Sequence, residues 1–178
     1  MYNGGNSYQD LEYSPFSETM ADYVALEGGT GDLTDGIIPA NSWRDDHLPY
    51  VGWQFSSTSA YPSKNSNAVS IKFFFNHEVT IDSLKISVDD GGGGVSPPAK
   101  VDIEMVTYTF PTNPGGPGGG PFTAEIQLHP PVTVAVATGL DVKLIRYGEW
   151  MFVSEVQFFV SQWLLAVVHH VLVLKHQH

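Results

Sequence analysis

The chain has 178 residues, enough for one domain of ordinary size with short tails. Its 42% hydrophobic and 12% aromatic residues support a packed core and exclude an intrinsically disordered chain. The formal net charge is −11, from 8 basic and 19 acidic residues, so the electrostatic field disfavours nucleic-acid binding and suits cations, basic partners or neutral ligands.

The chain contains no cysteine, which excludes disulfide frameworks and thiolate zinc sites. Residues 1–20 are polar and lack periodicity, and we interpret them as a lead-in arm. They begin with neither a basic region nor an apolar run, so no signal peptide is visible. We assign the folded domain to residues 21–160 and an atypical apolar, histidine-containing tail to residues 161–178.

Alternating apolar and polar residues predict short strands separated by turn signals. A slip in this alternation near Ser83 predicts a β-bulge. Glycine- and proline-rich loops lie at 89–98 and 111–121, and we interpret the second as a connector, because no Lys-Ser/Thr pair or helix follows it as in a phosphate loop. The predicted strands are 50–57, 67–75, 79–88, 101–105, 122–128, 132–137, 142–147 and 150–159.

No convincing helical stretch precedes Gln162, so the predicted fold class is all-β. The best fit is an eight-stranded antiparallel β-sandwich with a jelly-roll-like arrangement. The apolar run in the tail is too short, and too interrupted by histidines, for a membrane-spanning helix. The tail histidines also lack a spacing typical of zinc sites, and we interpret this segment as an aberrant or truncated terminus, either loosely helical or attached to the domain.

The stretch 31–36, Gly-Asp-Leu-Thr-Asp-Gly, is rich in side-chain oxygens and turn-forming residues. From residue types alone, Asp35-Gly36 reads as a simple turn and Glu155 as an exposed strand residue. The alternative is that a cation gathers these oxygens, since Ca²⁺ binds six to eight of them.

Several fragments in order resemble the discoidin (coagulation factor 5/8 type C, galactose-binding-like) superfamily, and most closely the discoidin-like second domain of the discoidin domain receptors. The resemblance covers about residues 23–160. The fragments are Leu33-Thr34-Asp35-Gly36, Tyr50-Val51-Gly52-Trp53, the 67–75 strand, Gly94-Val95-Ser96-Pro97-Pro98 and Trp150-Met151-Phe152-Val153-Ser154-Glu155-Val156-Gln157-Phe158.

The chain also departs from these relatives. The cysteines of the receptor domains are absent here. Collagen binding does not carry over, because in those receptors it belongs to a first discoidin domain that this sequence lacks. The histidine–arginine cluster with which sugar-binding relatives hold a hexose has no match either.

The resemblance implies a structural Ca²⁺ site that joins the Asp-Gly loop to the last strand of the sandwich. By position, Asp35 and Glu155 would bind through their carboxylates. Asp32, Ile37 and Ser154 would bind through their backbone carbonyls.

A second group of candidates lies in the loop after the Asp-Gly turn, where Trp43, Arg44, Asp45 and His47 are a possible ligand-binding loop. Trp43 is expected to be exposed, and a merely solvated loop is the alternative. The strand aromatics Trp53, Trp150, Phe152 and Phe158 are instead expected to serve mostly in core packing.

The sequence has no G-x-S-x-G and no H-E-x-x-H, and no paired carboxylates that could be matched as acid and base, so we expect no enzyme. The expected function is a calcium-stabilised recognition module, extracellular or at the cell surface, whose loops bind a glycan or a protein. Two alternatives remain: an accessory carbohydrate-binding domain of a larger secreted hydrolase, and a self-assembling structural jelly roll.

Overall fold

The structure is a computed structural model that describes residues 33–45, 49–54, 68–148, 150–160 and 172–174. The predicted arm and two of the candidate site residues, Asp32 and His47, lie outside the described residues.

The described residues form two antiparallel sheets and no α-helix, so the predicted all-β sandwich is confirmed. The first sheet has the strand order β1-β8-β3-β6 and the second the order β5-β4-β7-β2-β9. The strands are β1 Val51–Gln54, β2 Ala68–Phe74, β3 Val79–Val88, β4 Lys100–Ile103, β5 Val106–Thr109, β6 Phe122–Val134, β7 Leu140–Ile145, β8 Trp150–Val160 and β9 Leu172–Leu174.

The core lies between the two sheets and follows from the alternation of the strands. In β7, Leu140, Val142 and Leu144 are buried while the residues between them are exposed. They belong to one apolar cluster with Ile81 and Ile86 of the facing sheet. Burial of these side chains is the main force that holds the two layers face to face.

A second, smaller apolar cluster lies at the loop end of the first sheet. It consists of Trp43, Tyr50, Val95 and Phe152, with Trp150 packed against it. It is small but aromatic, and it connects the loop residues Trp43 and Val95 to the start of β1 and β8.

The predicted number of eight strands is wrong, because the described residues form nine, and several strand boundaries differ from the prediction. The predicted strands 122–128 and 132–137 form the single strand β6. The predicted strand 101–105 ends at Ile103, where Glu104 and Met105 both adopt positive φ and turn the chain into β5. β5 escaped prediction because its side chains are largely exposed and its hairpin turn lacks the usual Asn-Gly or Gly signal.

The predicted bulge is confirmed, since the register shifts between Ile81 and Ser83 in the pairing of β3 with both of its neighbours. In the tail, Leu172–Leu174 pairs with β2, so this part is extended rather than helical and is attached to the domain. Within the described residues no helix is long and apolar enough to cross a membrane.

A substitution at Gly52 tests the packing of the aromatic cluster. It lies opposite Phe152 in the β1–β8 pair, and a Cβ at this position would collide with the Phe152 ring. We expect Gly52→Ala to lower the free energy of unfolding by about 1–3 kcal/mol, the usual cost of overpacking. Urea denaturation measures the loss.

The matched control repeats the change in a Phe152→Leu background, where a smaller side chain relieves the collision. The loss caused by Gly52→Ala should then shrink. An unchanged loss in both backgrounds would contradict the close approach of Gly52 to the ring.

Candidate functional site

The Asp-Gly turn and the last long strand meet directly. Gly36 has a φ of 84°, a backbone conformation that favours glycine, and its N–H donates a hydrogen bond to Glu155 Oε2 at 3.1 Å. The N–H of Ile37 donates to Asp35 Oδ1 at 2.8 Å, which closes the turn. The turn is therefore held to β8 through the carboxylate of Glu155.

A bulge in β8 explains why Glu155 faces this turn. Glu155 pairs with Ser87 while Val153 pairs with the adjacent Val88, so Ser154 is an extra residue on β8. Val153 lies in the inter-sheet core before the bulge and Val156 after it. Glu155 thereby keeps its side chain away from the apolar core, and Ser154 is buried with its Oγ donating to the Ser87 carbonyl at 3.4 Å.

Glu155 is buried, with 3% of its surface exposed, so its interpretation as an exposed strand residue is wrong. Burial raises the pKa of this carboxyl to about 7, the nearby Asp35 charge also raises it, and the hydrogen bond from Gly36 acts in the opposite direction. A cation bound beside Glu155 would favour its charged form.

The oxygens at this turn fit a hard cation in chemical type. Two predicted carboxylate ligands, Asp35 and Glu155, lie at the same turn. Ile37 follows Asp35 by two residues, and Ser154 directly precedes Glu155. Among the described residues no group of three or more His, Asp or Glu side chains could hold a metal. Ca²⁺ would therefore depend on backbone carbonyls for much of its coordination, which it accepts.

A buried aspartate, Asp89, holds the loop that contains Trp43 and Arg44. The sequence had not indicated a role for this residue. Asp89 follows β3 directly and is fully buried. Its Oδ2 accepts hydrogen bonds from Ser42 Oγ at 2.8 Å and from the Trp43 N–H at 3.2 Å. Its Oδ1 has no hydrogen-bond partner among the described residues, and burial raises the pKa of the carboxyl. The aspartate thus fixes the start of the loop to the sheet.

Trp43, in the same loop, belongs to a group of aromatic rings that pack on Phe152. The Trp43 ring lies 4.8 Å from Phe152 with an interplanar angle of 8°, and the Trp150 ring lies 5.9 Å from Phe152 at 4°. Tyr50 contacts Phe152 edge-on and donates its hydroxyl hydrogen to the Asn41 carbonyl at 2.8 Å. The expectation that Trp43 is exposed is wrong, because this packing leaves only 6% of its surface accessible.

A cleft opens beside this stack. It has a volume of about 340 Å³ and is lined by Trp43, Arg44, Gly93 and Trp150. The Arg44 guanidinium carbon lies 5.3 Å from the centre of the Trp43 ring, a cation–π geometry. Gly93 approaches Arg44 so closely that a Cβ would collide with the guanidinium.

Two of the four residues that line the cleft were candidates from the sequence. These two are Trp43 and Arg44. A third candidate, Asp45, is exposed and is not part of the lining. Gly93 was not predicted, and Trp150 was expected to serve in core packing. The glycine run 91–94 directly after two aspartates was the available signal, because such a run often marks a close backbone approach.

Comparison of the sequence with known protein-family models and with curated proteins finds no match. The relationship to the discoidin superfamily therefore stays a prediction.

Glu155 gives a prediction about pH. Its pKa is about 7 in the folded chain and takes its ordinary value near 4.5 in the unfolded chain. Between these values the folded state binds more protons at Glu155, so the contribution of this residue to stability is greatest below about pH 4.5 and is lost as pH rises to about 7. We expect Glu155→Gln to remove this part of the slope when unfolding is followed by urea titration in the presence of a metal chelator.

Asp89 acts in the same direction, so the informative quantity is the difference in slope between the two proteins. Parallel stability profiles over this range would show that Glu155 titrates normally.

Proposed function

We propose that this protein is a non-catalytic recognition module of discoidin type, with jelly-roll-like strand order, that binds a glycan in the cleft between Arg44 and Trp150. The cleft carries this proposal. It combines aromatic rings with a guanidinium at the loop end of a rigid sandwich, where binding residues usually lie.

The chemistry of the lining supports a sugar. Trp150 is half-buried, so part of its ring remains accessible for stacking on the apolar face of a pyranose. Arg44 supplies N–H donors for ring substituents. The volume of about 340 Å³ lies at the lower end of the range for small-molecule sites, which suits one or two sugar units.

The loop end is also preorganised. Asp89 holds the backbone at Trp43, and the stack on Phe152 holds the ring. A ligand therefore meets side chains whose positions are already fixed, which lowers the entropic cost of binding.

The Asp-Gly turn has a different proposed role, as a structural Ca²⁺ site. Asp35 and Glu155 would hold the ion by their carboxylates, with the carbonyls of Asp32, Ile37 and Ser154 completing the shell. The ion would supply the positive charge that the buried Glu155 lacks among the described residues. Calcium sites of extracellular modules are weak, and an extracellular or cell-surface location is proposed with this role.

The calcium site is tested by thermal unfolding. We expect EDTA to lower the melting temperature and added Ca²⁺ to restore it, because the ion binds only the folded state. Asp35→Asn and Glu155→Gln should each abolish the response, whereas Asp141→Asn, an exposed carboxylate on β7, should leave it unchanged. Protein shown to carry metal at the start, yet indifferent to EDTA, would refute the proposal.

Glycan binding is tested on a glycan array with the full chain. We expect bound sugars for the wild type and a loss of affinity of about fivefold or more in Trp150→Ala, since aromatic stacking contributes on the order of 1 kcal/mol. Phe159→Ala is the control, because Phe159 is a partly exposed aromatic residue near the opposite end of β8. A wild-type protein that binds no glycan, or equal losses in both variants, would refute the cleft as a sugar site.

A further inference from the structure

The position of Arg44 says more about the ligand than the aromatic rings do. Its guanidinium contacts the Trp43 ring and also lies close to the Gly93 backbone. Gly93 has a φ of 62° and no side chain, which provides the space for the guanidinium. The charged group is therefore placed by its surroundings at the wall of the cleft.

Within the part of the chain that the structure describes, no ion pair is found for the Arg44 guanidinium, which is exposed to solvent. An ion pair found elsewhere joins Lys85 to Glu125 at 3.7 Å. The buried carboxylate that holds the same loop, Asp89, directs its Oδ2 to Ser42 and the Trp43 N–H instead.

An arginine in this situation has a preferred ligand group. The planar guanidinium presents parallel N–H donors that match the two oxygens of a carboxylate, and such charge-assisted pairs are about twice as strong as neutral hydrogen bonds. A neutral sugar hydroxyl would accept a hydrogen bond from the same donors but would not form a charge-assisted pair.

The overall charge limits how acidic the ligand can be. A chain with a net charge of −11 repels a dense polyanion at long range. A single carboxylate attached to an otherwise neutral ring contributes one contact with Arg44 and little long-range repulsion.

We propose that the cleft selects a uronic-acid unit, with the sugar ring against Trp150 and its carboxylate paired with Arg44. This inference rests on the proposed glycan-binding function and adds the chemical class of the sugar.

The experiment compares sugars that differ in one group. Methyl glucoside and methyl galactoside are titrated against the full chain beside their uronates, in which a carboxylate replaces the hydroxymethyl group. Binding is followed by tryptophan fluorescence and calorimetry. We expect the uronates to bind at least tenfold more tightly, and rising salt to weaken only the uronates.

Arg44→Gln should abolish the preference for uronates, because glutamine keeps N–H donors but carries no charge. The affinity for the uronates should fall at least tenfold, and the affinity for the neutral glycosides should fall less, so that the two affinities become similar. Arg44 is exposed, so this variant is expected to fold, which a melting curve checks. Lys143→Gln removes the same charge from an exposed position on β7 and should retain the preference.

The outcomes separate the two proposals. Neutral glycosides that bind as tightly as the uronates would overturn the uronate inference and leave the glycan function standing. A preference that survives Arg44→Gln would overturn the inference as well. A chain that binds neither class of sugar in these titrations or on the array would overturn both.

Discussion

The packing of the Phe152 ring is the contact on which the loop end depends. Trp43 and Trp150 stack on it, Tyr50 meets its edge, and Gly52 leaves room for it. Because a stacked arrangement of aromatic rings is favourable and dense, the loop that carries Trp43 is fixed relative to β1 and β8. The Arg44 guanidinium then takes its place on a surface that already exists.

The strand β8 connects this surface to the Asp-Gly turn. Phe152 and Glu155 project away from the inter-sheet core because Ser154 is an extra residue between them. A buried carboxylate is costly without a compensating charge, and the proposed Ca²⁺ would supply that charge while tying the turn to the same strand that supports the cleft.

The alternation of apolar and polar residues made most of the strands predictable, whereas two local irregularities were missed. The slip of phase near Ser83 identified a bulge correctly because it interrupts a strongly apolar strand. The bulge at Ser154 left no such mark, since apolar residues surround it on both sides and their pattern fits more than one phase. The hairpin at Glu104 and Met105 was missed because its turn residues are atypical.

The sequence by itself determined the all-β class and the main strands, because the alternation of apolar and polar residues is a local signal. The contact of the Asp35 turn with Glu155 was expected only from the resemblance to a family. Only the tertiary structure decided that Trp43 is buried, that Asp89 holds its loop, and that Arg44, Gly93 and Trp150 share one cleft. These residues are far apart in the chain. Their meeting depends on sheet register, a bulge and close packing, which no local pattern encodes.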